Sequence, residues 1–118
     1  MTLARGDIVM TRFPHAGGNR GKKRPAVVIQ ADVFNINLKH FIVAEITKNL
    51  AAASNPASFV IDIRSPEGKA TGLDQDSVVC CLFLSTVAES SITKVIGKLS
   101  ATMQAQLDLC LKAAMQLS

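Results

Sequence analysis

A chain of 118 residues with 13 Lys+Arg against 9 Asp+Glu carries a formal charge of +4, and 48% of it is apolar against 19% charged. That length suits one domain over 1–118, since single cores form at roughly 100–150 residues, and the apolar share excludes a disordered tail or an acidic scaffold. With no Trp, no Tyr and five Phe, a module that stacks bases on an aromatic sheet is hard to build.

The pattern along the chain predicts short strands followed by one helix. Asp7 to Pro14 places Ile8, Met10 and Arg12 on one face and Val9, Thr11 and Phe13 on the other. Apolar residues on both faces suit a strand inside a small barrel, and Pro14, which cannot donate to a ladder, ends it. His15 to Lys23 reads as a glycine-rich basic loop, and Pro25 to Gln30 as a second, β-branched strand. Asp32 to Lys39 reads as a turn or a single helical turn, and Phe41 to Thr47 as a third strand. After the polar stretch Lys48 to Pro56, Ser58 to Ile63 alternates as a fourth strand. Ser77 to Leu84 is almost wholly apolar and predicts a central buried strand; Lys94 to Ile96 adds a short one. The period then changes. Ser100 is placed to cap a helix whose apolar stripe is Met103, Leu107, Cys110, Leu111 and Ala114. The expected class is mainly β with α (α+β): a small, bent antiparallel barrel with a C-terminal helix.

Charge is concentrated in one place. From Arg12 to Arg24 there are five cations and no Asp or Glu, four of them (Arg20, Lys22, Lys23, Arg24) within five residues. Such a cluster attracts polyanions and releases counterions on binding, and Gly17, Gly18 and Gly21 let backbone N–H groups approach a phosphate. A solvated lysine-rich loop has the same composition. Arg24 differs from its neighbours because Pro25 and a buried strand follow it directly, which favours a positioned guanidinium whose fork of donors fits a phosphate.

Thr47 closes the third strand between Glu45 and Lys48; a hydroxyl there more often simply satisfies the backbone. Glu45 lies on the same strand face as Thr47 and reads either as a general base or as a surface charge. His15 beside the basic loop titrates near neutrality, although a lone loop histidine is usually solvated, and His40 reads as structural. Carboxylates do not fall at metal-ligand spacings, which gives a two-metal nuclease no support. Cys80, Cys81 and Cys110 are odd in number with two adjacent, so neither a disulfide framework nor a zinc site is expected, and the compartment reads as reducing. No apolar run approaches a membrane span and no signal-peptide pattern is present, so a soluble, cytoplasmic protein is expected.

Four segments in order carry a family resemblance: Arg5-Gly-Asp-Ile-Val, Lys23-Arg24-Pro-Ala-Val-Val, Ile46-Thr47, and Thr71-Gly-Leu with Ser77-Val-Val. With Lys98-Leu-Ser before the final helix, the chain resembles the MazF/PemK toxins of bacterial toxin–antitoxin pairs over nearly its whole length. The resemblance implies an SH3-like barrel, a homodimer, a cognate antitoxin partner, and metal-independent cleavage of single-stranded RNA without a cofactor. It implies attack by the substrate's own 2′-hydroxyl, leaving a 2′,3′-cyclic phosphate and a 5′-hydroxyl, with Arg24 and Thr47 as the catalytic pair. His15, Asn19, Arg20, Lys22, Lys23 and Lys48 are the expected RNA contacts. Some members carry an acid or histidine where this chain has Asn19 and Gly18, and others an Arg and an Asp where it has Cys80 and Leu82. Two alternatives share the fold: a non-enzymatic toxin that poisons DNA gyrase through its C-terminal helix, and a barrel that binds RNA or DNA without cutting it.

Overall fold

The computed structural model describes residues 2–13 and 22–118. Six strands, β1 (Asp7–Arg12), β2 (Lys23–Val28), β3 (His40–Thr47), β4 (Ser58–Ile61), β5 (Ser77–Ala88) and β6 (Ile92–Lys98), form one antiparallel sheet in the order β4-β5-β3-β2-β1-β6. Two single-turn helices, α1 (Asp32–Asn35) and α2 (Pro66–Lys69), lie in the connections, and the long helix α3 (Ala101–Met115) ends the chain. This is the expected α+β arrangement, but the barrel does not close strand to strand. The gap between the edge strands is bridged by the turn after α2, where Lys98 N donates to the Ala70 carbonyl at 3.1 Å.

The two faces of the bent sheet bury separate apolar clusters, which explains why β1 is apolar on both sides. Ile8, Val27, Ala44, Ile46, Phe59, Ile61 and Val79 pack with Met103, Leu107 and Cys110 of α3. Val9, Ala26, Val28, Phe41, Val43, Val87 and Ile92 form the other cluster. Helix α3 follows its periodicity: the buried positions are Met103, Leu107 and Cys110, and Ser100 Oγ accepts from Met103 N at 3.1 Å as the N-cap. A cap of this kind contributes about 1 kcal/mol. Ser100 also hydrogen-bonds Glu67, which ties the helix start to α2.

Three expectations shift. Strand β2 begins at Lys23, two residues before Pro25, so Lys23 and Arg24 are strand residues paired with Arg12 and Thr11 of β1. Strand β6 has seven residues because it pairs with β1 from Asp7 to Thr11, a long-range contact that its own composition does not show. Strand β5 is continuously buried only over Ser77–Cys81, with Val87 buried again near its end. Between the pairs Ala44↔Leu84 and Glu45↔Cys80 its register skips three residues, Cys81, Leu82 and Phe83. This bulge turns Leu82 and Phe83, 56% and 60% exposed, out of the sheet. An apolar run cannot reveal such a bulge, because the run has no alternation to break.

Candidate functional site

The inner face of the sheet is only partly covered by α3. One step further along β1, β2 and β3, the residues Met10, Pro25 and Ile46 floor an open cleft of about 610 Å³, with Leu73 and Ile96. Its charged rim is Lys23 and Arg24 from β2, Lys48 after β3, Lys94 from β6, and one carboxylate, Asp74. Four cations against one acid give the cleft the sign that suits a polyanion.

Adjacent strands carry Arg24 and Thr47. The β2–β3 pairing runs out at Ala26↔Glu45, two residues short of Arg24 and Thr47, and both of these line the cleft. Arg24 has a half-exposed side chain, and its Nη1 lies 3.8 Å from Glu45 Oε1. That separation is an ion pair rather than a hydrogen bond, so the guanidinium keeps its fork of N–H donors unspent among the described residues. Thr47 Oγ1 accepts from Asn49 N at 3.2 Å. The hydroxyl therefore does the backbone-satisfying work usual at a strand end, and its own hydrogen is left to donate. Lys48 Nζ sits 3.5 Å from Asp74 Oδ1 across the cleft, with both groups well exposed; such a pair is worth little and yields readily to a competing phosphate.

The structure thus brings Lys23, Arg24, Thr47 and Lys48 to one cleft. Lys22 is exposed beside it but does not line it. His15, Asn19 and Arg20 lie outside the described residues. His40 is exposed at the start of β3, away from the cleft lining. Lys94, Gly72 and Leu73 escape sequence reasoning. Lys94 reaches the cleft because β6 pairs with β1 and sets it opposite Met10, 84 positions away in the chain. Among the described residues neither Lys23 nor Lys94 has a carboxylate within 4.0 Å.

The three cysteines are free and buried, as inert core residues are. Burial pushes the Cys81 thiol up from about 9 to about 12, with Cys110 and Cys80 adding to the shift and Arg5 opposing it. An unfolded chain loses that proton near pH 9 while the folded one keeps it, so the unfolded state binds fewer protons in between. Stability is therefore expected to fall as pH rises from about 9 toward 12, and a thiol reagent at pH 8 should label Cys81 only as fast as the protein opens. Urea midpoints across pH 8–11 and labelling rates with and without denaturant measure both. No group of three or more His, Cys, Asp or Glu that could hold a metal occurs among the described residues, and no described helix is long and apolar enough to cross a membrane.

A bent six-stranded sheet with cations, a threonine and an apolar floor around one open cleft defines a small β domain with a cationic cleft. The family model described as PemK-like, MazF-like toxin of type II toxin–antitoxin system matches residues 4–115, and the chain belongs to that family. It is 30% identical over 118 residues to Endoribonuclease EndoA of Bacillus subtilis (strain 168), covering 99% of this chain and 97% of the relative. It is 29% identical over 119 residues to Endoribonuclease MazF6 of Mycobacterium tuberculosis (strain ATCC 25618 / H37Rv), covering 99% and 100%. Among solved structures, the Mycobacterium tuberculosis toxin MazF-mt6 superposes with a TM-score of 0.77 at 23% identity over 95% of this chain and 98% of that one. A MazE-MazF structure (Form-III) from Deinococcus radiodurans gives 0.74 at 19% identity, with all of both chains covered. Both structural likenesses are to the fold.

Proposed function

We propose that this protein is the endoribonuclease toxin of a toxin–antitoxin pair, cutting single-stranded RNA at selected sequences without a metal. The observation that carries this reading is that Arg24 and Thr47 line one cationic cleft, in a chain whose relatives are named endoribonucleases. Attack of a ribose 2′-hydroxyl on its neighbouring phosphorus needs charge stabilisation on the phosphorane oxygens and proton transfer, not a nucleophile from the protein. The Arg24 fork would hold the developing negative charge, and Thr47 would hydrogen-bond a non-bridging oxygen. Lys23, Lys48 and Lys94 would hold flanking phosphates, while Met10, Pro25 and Ile46 give bases an apolar floor in place of aromatic platforms.

A cleft that accepts phosphates also accepts an acidic peptide, and an antitoxin segment laid in it would exclude RNA. A solved endoribonuclease in complex with its cognate antitoxin, TM-score 0.76 to this chain, supports that partner. A homodimer is supported by the exposed apolar side chains Val33, Phe34, Ile36 and Leu38 in and after α1, a surface that monomers rarely leave bare. A cytoplasmic location fits free thiols and an RNA substrate. Purified protein in EDTA is expected to cut single-stranded RNA at discrete sites, leaving 2′,3′-cyclic phosphate and 5′-hydroxyl ends; end mapping and mass spectrometry read both. RNA that stays intact, with gyrase inhibited instead, would replace this reading by the gyrase poison. That alternative draws on the exposed Leu109, Met115 and Leu117 along and after α3.

A further inference from the structure

A carboxylate stands against the proposed catalytic arginine, in a place where the fold gives it no structural work. Glu45 is on β3, an interior strand of the sheet, with Ala26 of β2 across from it on one side and Cys80 of β5 on the other. Both neighbours are buried, Ala26 at 0% and Cys80 at 4% exposure, while the Glu45 side chain is 30% exposed. Placing a carboxylate between two buried apolar neighbours costs solvation, which is ordinarily recovered through hydrogen bonds. Here no described residue donates one to it. Its single polar contact among the described residues is the Arg24 guanidinium at 3.8 Å. It projects from the same strand face as Thr47, two residues on, and reaches the cleft's edge through Arg24, which lines the cleft while Glu45 itself stands just behind it; diagonal partners of this kind lie about 7–8 Å apart at their backbones, within reach of long side chains.

We infer that Glu45 is the general base of the RNA cleavage, an inference that rests on the reading given above. With a phosphate seated on Arg24 and Thr47, the ribose on its 3′-oxygen side brings its 2′-hydroxyl to Glu45. The carboxylate takes that proton, the 2′-oxygen bonds to phosphorus, and the bond from phosphorus to the 5′-oxygen breaks. The departing 5′-oxygen takes a proton from solvent, and Glu45 returns its proton to solvent once the product leaves. Charge balances throughout, and no oxidant, metal or covalent protein intermediate enters. Arg24 then has two tasks: it steadies the phosphorane oxygens and keeps the Glu45 carboxylate positioned beside the hydroxyl. Among the described residues, the charged and titratable groups facing Glu45 are Arg24 from β2 and the Cys80 thiol from β5, directly across the strand pair. Burial raises the pKa of that thiol, with the nearby Glu45 charge a lesser contributor, so it stays neutral at working pH.

The test is Glu45→Gln, which keeps shape and removes the proton acceptor, with Glu45→Asp as the conservative variant. A positioned base is worth about 10²–10⁴-fold, so kcat on a short RNA bearing one mapped site should fall by that factor, with KM within about threefold. The acidic limb of the wild-type kcat–pH profile, where the base loses its proton, should disappear in Glu45→Gln and persist in Glu45→Asp at a reduced rate. A carboxylate that only tethers Arg24 would raise KM and leave the limb in place. Full kcat or an unchanged pH profile in Glu45→Gln overturns the role of Glu45 alone; a wild-type protein that cuts no RNA overturns the endoribonuclease reading as well.

Discussion

Arg24→Ala is expected to lower single-turnover RNA cleavage by about 10³-fold or more while the protein stays folded. Removing one preorganised donor from a developing oxyanion costs about 10²–10³-fold, and a guanidinium supplies two donors and a full charge. The fold should tolerate the change because the side chain is half-exposed and its one ion pair among the described residues, 3.8 Å to a partly exposed carboxylate, is worth little to stability. Thermal midpoints within a few degrees of wild type would confirm that the loss is chemical. Arg24→Lys separates charge from geometry: a lysine keeps the charge but cannot present two parallel donors, so it should restore only a minor part of the rate. Thr47→Ala removes one neutral donor and should cost less, with Thr47→Ser close to wild type. Cleavage that survives in Arg24→Ala would remove the arginine from the chemistry and shift attention to Lys23 and Lys48.

Local signals were legible and distant ones were not. The period of Met103, Leu107 and Cys110 and the cap at Ser100 are written in neighbouring residues, and α3 follows them. Arg24 could be singled out because Pro25 and a β-branched run fix it at a strand start, and Thr47 because the third strand ends there. Lys94 could not, since its membership of the cleft depends on β6 lying against β1 with two register shifts, which nothing near Lys94 encodes. The bulge at Cys81–Phe83 was hidden for the same reason: it is a mismatch between β5 and β3, not a property of either strand. Glu45 was visible as a carboxylate on the Thr47 face, yet only the cross-strand approach of Arg24 separates a base from a surface charge. Reading the basic loop as a unit also merged residues of different standing, since Lys23 lines the cleft while Lys22 beside it does not.

Gly97→Ala is expected to destabilise the protein by about 3 kcal/mol, the upper range for overpacking, and to weaken RNA binding without touching a charged residue. The cleft's far wall is the turn after α2, laid so closely on β6 that a Cβ at Gly97 would stand 2.3 Å from the Thr71 carbonyl carbon and 2.4 Å from the Ala70 oxygen. Both obstacles are backbone, so no rotamer change relieves them. The turn must lift, which breaks the bond from Lys98 N to Ala70 and withdraws Gly72 and Leu73 from the cleft. Gly72 repeats the constraint from the other side, with its φ of 74° and an added Cβ 2.0 Å from the Ile96 oxygen. Because this turn bridges the sheet's open gap, lifting it also frees one edge of the inner core. For a domain of this size the loss corresponds to roughly 10–20 °C in Tm, whereas Lys98→Ala next door, an exposed side chain, should stay within about 0.5 kcal/mol. Urea and thermal unfolding of the two variants make the comparison, and a wild-type midpoint for Gly97→Ala would show that the turn is not seated on β6. Closure of the cleft would then have to come from strand pairing alone, which the order β4-β5-β3-β2-β1-β6 does not supply.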